Sequence, residues 1–292
     1  MKKIYTSIFL IFFAVTFIFS QYTPQLKGKA SLYKAFRNTT LVVLTGNEKI
    51  DNVLKKSIET HWKVTSYEFI ELERDAKLLN DVNYNILCLK EMEVKGNKKD
   101  VKAWVFGKSG GGILPKYLNN SLAFVSLDNL FLERKDEDHL YRLPHIIAQL
   151  NATLVLANEN DIRANAMEAV FEKMDREYVK NATELQNKTL LIDANYPAVK
   201  ITSMDDFAKK YGYAFEVVSK ATIEAAIRNK DESKAYLVSA VNEFKINTVT
   251  DCATGKILYA SFVQEDPVSF EFSPQFNFND MGKLGLAVKK GK

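Results

Sequence analysis

The stretch Gly107-Lys108-Ser109-Gly110-Gly111-Gly112 invites a phosphate-binding reading, because glycine-rich backbone exposes N–H groups that cradle anions. The order of residues argues against it. In a phosphate loop the Gly-Lys-Ser/Thr triplet closes the loop and opens a helix. Here the triplet comes first, after a strand-like run, and the glycines follow it. A hairpin loop is the expectation. A second cluster, Glu133, Asp136, Glu137, Asp138 and His139, with His145 close behind, offers oxygen and nitrogen donors of the kind metals take. Its spacing matches no ion-binding loop, so a charged connection is expected. The three histidines are His61, His139 and His145, and none stands in a nucleophile arrangement such as Gly-x-Ser-x-Gly. Carboxylates are spread along the chain, and none stands in an apolar frame that would single out a glycosidic pair. Cys88 and Cys252 form no Cys-x-x-Cys or zinc pattern. Cys88 lies in the apolar run Ile86-Leu87-Cys88-Leu89, which predicts a buried thiol. An exported pair can also oxidise, and a bond between these two would need both halves of the chain closely docked. The sequence therefore points to no catalytic residue, no cofactor-binding residue or cofactor, and no metal ligand, and it leans away from an enzyme.

These residues are carried by a chain of 292 residues with 47% hydrophobic content and a formal net charge of +4. That is enough for a sizeable core or two. Lys2 and Lys3 precede a nearly continuous apolar run from Ile4 to Phe19. A basic segment followed by a hydrophobic one is the pattern of a secretory signal. Cleavage after Ser20 would remove two charges and leave +2, since 4 − 2 = 2. The run is short for a bilayer-spanning helix, which needs ~20 residues. An uncleaved anchor stays open as an alternative, and so does peripheral membrane association. A nearly balanced mature chain has no electrostatic footprint for nucleic acid. Lys95, Lys98, Lys99, Lys102, Lys108 and Lys116 form a locally basic stretch, but Glu91, Glu93 and Asp100 dilute it.

After a polar lead-in, Thr40 to Leu44 reads as a strand ended by Gly46. Ile50, Val53, Leu54, Ile58 and Trp62 then recur at helical spacing. Val64 to Ile70 suggests a second strand, Ala76 to Leu79 a short helix, and Ile86 to Leu89 a third strand. A shift of 149 residues (187 − 38) lays Asn187-Lys188-Thr189-Leu190 over Asn38-Thr39-Thr40-Leu41. The same shift sets Ile192 on Val43, Phe207 on Ile58, Tyr211 on Trp62, Val218 on Phe69 and Ala225 on Ala76. One further residue sets Leu237 on Leu87. Size and apolar character repeat better than identity, which predicts one unit written twice. Each copy adds a hairpin: Val101 to Phe106 with Leu122 to Leu127, and Phe244 to Thr250 with Lys256 to Phe262. In the second, Gly255 suits the positive φ of a tight turn. Ser269 to Asp280 reads as a final strand or extended arm before a short basic helix.

Between the copies, Pro144 suits the first turn of a helix running through Leu156. Met167, Val170, Phe171, Met174, Tyr178, Ala182 and Leu185 then mark one stripe of another helix. The expected organisation is a signal at 1–20, a lead-in at 21–37, a first α/β unit at 38–143, a helical connector at 144–186 and a second α/β unit at 187–292.

The run Thr248-Val249-Thr250-Asp251-Cys252-Ala253-Thr254-Gly255-Lys256-Ile257-Leu258-Tyr259-Ala260-Ser261 resembles a hairpin of envelope proteins of the CsgG and TolB N-terminal type. There an Asp-x-x-Thr-Gly turn joins two strands of a small α/β domain. The whole chain also resembles exported proteins of Bacteroidota through its signal, its Thr-Leu-Val-Val-Leu strand with the following helix, and the restart at Lys188-Thr189-Leu190-Leu191-Ile192. That second resemblance implies no activity and no site residues. The fold expected is α/β, in the α+β sense, with two similar units of mixed sheet and packed helices joined by central helices. The function expected is that of a non-enzymatic cell-envelope scaffold or assembly factor that binds envelope proteins, in the periplasm or at the outer membrane. The alternative is a periplasmic solute-binding protein holding a small-molecule ligand between its units, and a hydrolase has the least support.

Overall fold

The computed structural model describes residues 35–93, 100–109, 123–127, 140–159, 178–195, 203–241, 245–263 and 276–290. Within them the chain is α/β and builds two mixed five-stranded sheets. The first unit contains β1 (Thr39–Leu44), α1 (Glu48–His61), β2 (Tyr67–Glu71), α2 (Leu72–Asp75), β3 (Tyr84–Glu93), β4 (Asp100–Lys108), β5 (Ala123–Ser126) and α3 (Leu143–Glu159). A 3-10 turn, Ala76–Asn80, extends α2 where a short helix was expected. The second unit opens with a 3-10 turn, Thr183–Asn187. It then runs through β6 (Thr189–Asp193), α4 (Met204–Tyr211), β7 (Phe215–Val218), α5 (Lys220–Arg228), β8 (Lys234–Val241), β9 (Lys245–Asp251), β10 (Ile257–Val263) and α6 (Phe278–Lys290).

Local chemistry accounts for the element boundaries. The Asn47 side chain accepts from Lys49 N and Ile50 N and so caps α1. The Asp51 carboxylate reaches back to Thr45 N at 2.7 Å and Gly46 N at 3.1 Å, holding the turn that leaves β1. Ser203 caps α4, and Gly212 ends it with φ 75°, a conformation that costs glycine nothing. Ser219 caps α5.

The two sheets have the same strand order, β2-β1-β3-β4-β5 and β7-β6-β8-β9-β10. In each the first three strands are parallel and the last two antiparallel. The register repeats as well. Thr39 pairs with Tyr84 as Thr189 pairs with Lys234, and Phe106 pairs with Ala123 as Val249 pairs with Tyr259. Outside the ladders, Ser109 N donates to Tyr84 O as Cys252 N donates to Lys234 O, each at 3.1 Å. Asp81 and Asp231 form matching turns before β3 and β8, each accepting from a backbone N–H two residues on at 2.9 Å.

This equivalence moves the sequence alignment by one residue in the first strand. Thr39 and Thr189 occupy the same place, a shift of 150 (189 − 39). A shift of 149 would set Leu41 on Leu190. Leu41 belongs to the core beneath Leu79, whereas Leu190 packs with Phe207 and Tyr211 of α4 on the other face. Strand side chains alternate, so one residue exchanges the faces. The pairs Ile58 with Phe207 and Trp62 with Tyr211 are buried alike.

Each sheet is covered on both sides. In the first unit Ile50, Leu54, Ile58 and Trp62 pack with Ile146, Ile147, Leu150 and Leu154 of α3 over Val42, Leu87, Trp104 and Phe106. Phe207 and Tyr211 pack with Met281, Leu284 and Val288 of α6 in the same way. The opposite faces carry smaller cores, under Leu79 in one unit and under Ile223, Ala226 and Ile227 in the other. The connecting helices divide between the units: α3 completes the first core, and Ala182 and Leu185 enter the second. The stripe expected from Met167 lies outside the described residues except for its helical end at 178–182, and so does the expected arm from Ser269 except near Phe276. Among the described residues no helix is long and apolar enough to cross a membrane.

Two glycines of α6 give a paired test of this packing. A Cβ on Gly285 would fall 2.6 Å from Lys210 O and 2.7 Å from Tyr211 O, whereas one on Gly282 would meet only the Lys210 side chain at 3.6 Å. Gly285→Ala is expected to cost about 1–3 kcal/mol by forcing α4 and α6 apart. Gly282→Ala is expected to gain about 0.5–1 kcal/mol from helix propensity. Urea denaturation of both variants checks the contrast, and equal effects would contradict the close crossing.

Candidate functional site

The residues singled out in the sequence do not converge. Ser109, in the glycine stretch, is buried, and its hydroxyl lies 3.0 Å from Leu79 O and 2.6 Å from Asp81 O. It closes the end of a strand ladder instead of facing an anion. Gly110 to Gly112 and the cluster Glu133 to His139 lie outside the described residues. Cys88 and Cys252 are free and buried in separate cores. Burial pushes both thiols up to about 12, so neither supplies a thiolate nucleophile at neutral pH. Among the described residues no group of three or more His, Cys, Asp or Glu is placed to hold a metal ion.

His145 has a different role from the one its neighbourhood in the sequence suggested. It lies on α3, whose Leu143, Ile146, Ile147, Leu150 and Leu154 face the first core. His145 and Gln149, one turn apart, face the second unit instead. The imidazole Nδ1 lies 3.1 Å from the Tyr236 hydroxyl, and the two rings stack with centroids 5.9 Å apart. Gln149 Nε2 donates to Gly255 O at 3.0 Å. Gly255 has φ 74°, and a Cβ there would come within 2.8 Å of the His145 ring. Glycine is thus required twice at this position, for the turn and for the helix that presses on it. Tyr141, just before α3, packs against the core that holds Tyr236 and Cys252.

The turn that receives α3 is braced from inside. Asp251 accepts from Ala253 N, Thr254 N and the Thr254 hydroxyl, and it pairs with Lys188 Nζ at 2.7 Å. Lys188 also donates to Glu232 O. Burial alone would raise the Asp251 carboxyl, but bonds from Lys188 and Thr254 outweigh it and hold the group below its ordinary value.

Between α3, the helical end at 178–182 and this turn lies a cleft of about 340 Å³. Ala148, Ala152 and Ile257 give it apolar surface, and Tyr178 adds a ring. Gln149, Thr153, Asn181 and Thr254 supply neutral polar groups, and Lys256 stands at its edge. Asn181 Nδ2 donates to Ile257 O at 3.2 Å, so it ties the cleft wall to β10 as Gln149 ties it to the turn. No nucleophile and base face each other among these lining residues. Nothing in the sequence marked Gln149, Thr153 or Asn181 as lining a cleft. Gly255 carried a readable signal as a turn glycine, and Tyr178 as a member of a helical stripe. The Asp251-to-Gly255 turn joins β9 to β10.

No protein-family model, no curated protein and no solved structure matches the chain.

Burial pushes the His145 pKa down to about 4 from its ordinary 6.5; His61 nearby lowers it further, Asp251 opposes this, and Arg142 lowers it slightly. The ring is neutral in the folded protein and takes up a proton on unfolding once the pH is below 6.5. Its contribution is therefore complete above about 6.5 and drains away as the pH falls to about 4, roughly 3 kcal/mol in all. Asp251 acts in the same direction lower down: its contribution is present above the ordinary carboxylate range and is lost as the pH falls through the depressed value. His145→Gln, which can still bond Tyr236, is expected to flatten the loss between pH 6.5 and 4. Chemical denaturation of both proteins across that window measures the slope, and an unchanged slope would remove His145 as its cause.

Proposed function

We propose that the chain is a non-enzymatic exported protein of the cell envelope, a scaffold or assembly factor that binds envelope proteins. The observation that carries this reading is the docking of two like units through one shared helix. α3 gives its apolar face to the first core and His145 and Gln149 to the second unit. A helix held on both sides keeps the units at one angle, which suits a protein that presents two surfaces to partners. The strongly shifted groups support a passive role: His145, Tyr236, Cys88, Cys252 and Tyr211 are displaced chiefly by burial, within cores or contacts. The case for export rests on the sequence of residues 1–20, which lie outside the described residues.

A second reading is a solute-binding protein of the periplasm, with its ligand held between the units. The cleft favours it, because ligand sites concentrate where structural units meet.

Crosslinking in intact envelopes, followed by capture of the full chain, tests the first reading. The expected result is one recurrent protein partner, recovered in every growth state and lost when Gly255→Val breaks the contact with His145. No partner in any growth state would end the scaffold reading.

A further inference from the structure

We propose that the cleft between the units is a site for a neutral saccharide. This deepens the solute-binding reading and rests on it. The volume, about 340 Å³, is that of a small-molecule pocket. Its charge is already balanced: Lys256 pairs with Glu184 at 2.7 Å. A charged ligand would find no free counter-charge among the lining residues.

The polar groups define what the ligand must bring. Gln149 and Asn181 spend their amide nitrogens on Gly255 O and Ile257 O. Among the described residues, their side-chain carbonyl oxygens and the Thr153 hydroxyl carry no hydrogen bond. Two acceptors and a hydroxyl call for a ligand rich in hydroxyl donors. Because the amide nitrogens are already anchored, the acceptors are held before binding and little side-chain freedom is lost. Ala148, Ala152 and the Tyr178 ring offer an apolar bed to the C–H face of a sugar ring. An apolar surface beside fixed neutral acceptors suits a saccharide better than an ion or a hydrocarbon.

Thermal unfolding and isothermal titration calorimetry of the full chain test this, with glucose, galactose, N-acetylglucosamine and maltose as neutral probes. Glucuronate and glucosamine serve as charged comparators. At least one neutral probe is expected to raise Tm in proportion to its concentration, with the charged comparators weaker. Ala152→Trp, at an exposed helix position, fills the cleft and is expected to abolish the shift. Thr153→Val keeps the side-chain shape and is expected to weaken binding roughly three- to tenfold through one lost hydrogen bond. Binding of charged probes alone, blocked by Ala152→Trp, would overturn the saccharide assignment and leave the cleft as a solute site. No binding by any probe, or binding that survives Ala152→Trp, would overturn both.

Discussion

One helix has to satisfy two neighbours, and that constraint organises the molecule. The apolar residues of α3 complete the core over the first sheet, so its position is set by Ile147, Leu150 and Leu154, all fully buried. Its other side then lies wherever the second unit can meet it. The second unit meets it with a residue that has no side chain. At Gly255 the backbone approaches so closely that a single added carbon would collide with the His145 ring. The Asp251 bonds inside the turn keep that surface stiff. Buried groups without partners cost ~1–3 kcal/mol each; His145 and Gln149 each find one across the contact, and Asn181 finds one in β10 of its own unit.

The repeat explains why such a contact could arise, and the differences between copies show where each has specialised. Across three neighbouring strands the first unit places Leu89, Trp104 and Val125 side by side. The second unit places Ser239, Asn247 and Ser261 at the same ladder positions. There the Ser239 hydroxyl donates to Asn247 Oδ1 at 2.7 Å, and Asn247 Nδ2 donates to Ser261 at 3.2 Å. A buried polar row is tolerable because each member has a partner. It still gives up the burial of a tryptophan, so the second core is smaller than the first.

The local parts of this architecture were readable from residues alone. β-branched runs and the turn at Gly255 depend on neighbours within a few positions. The existence of two like units was readable too, since Trp62 and Tyr211 end equivalent helices against equivalent sheets. The register was not readable with one shift, because the copies differ in loop length between strands. β1 and β6 stand 150 apart (189 − 39), β2 and β7 148 (215 − 67), and β4 and β9 143 (251 − 108). An offset of 149 falls between the first two and misses the third, and it exchanges faces in the first two strands, where it sets Leu41 on Leu190 and Phe69 on Val218 instead of Val217. The cleft was hidden for another reason. Gln149, Thr153 and Asn181 are ordinary helix residues, and only the folding of α3 against the turn gives them a common space. His145 drew notice as a metal-type donor, yet its partner is a tyrosine 91 positions away.

The equivalence extends to the closing helices and shows how differently they end their units. Ile147, Leu150 and Leu154 of α3 recur at the same spacing as Met281, Leu284 and Val288 of α6. Asn151 accepts from Lys63 N and Val64 N just beyond α1, and Gly285 lies against the end of α4 at the matching place. By that alignment His145, Gln149 and Ala152 correspond to Asn279, Lys283 and Leu286. On α3 the first two grip the neighbouring unit. On α6 all three are exposed, and Lys289 and Lys290 continue the solvated side. A stacked unit needs either a neighbour or a polar face at each end. The first unit takes the neighbour, and the second takes a basic, solvated helix. The same backbone can therefore close on protein or on water, and the choice is made by a few outward residues of one helix.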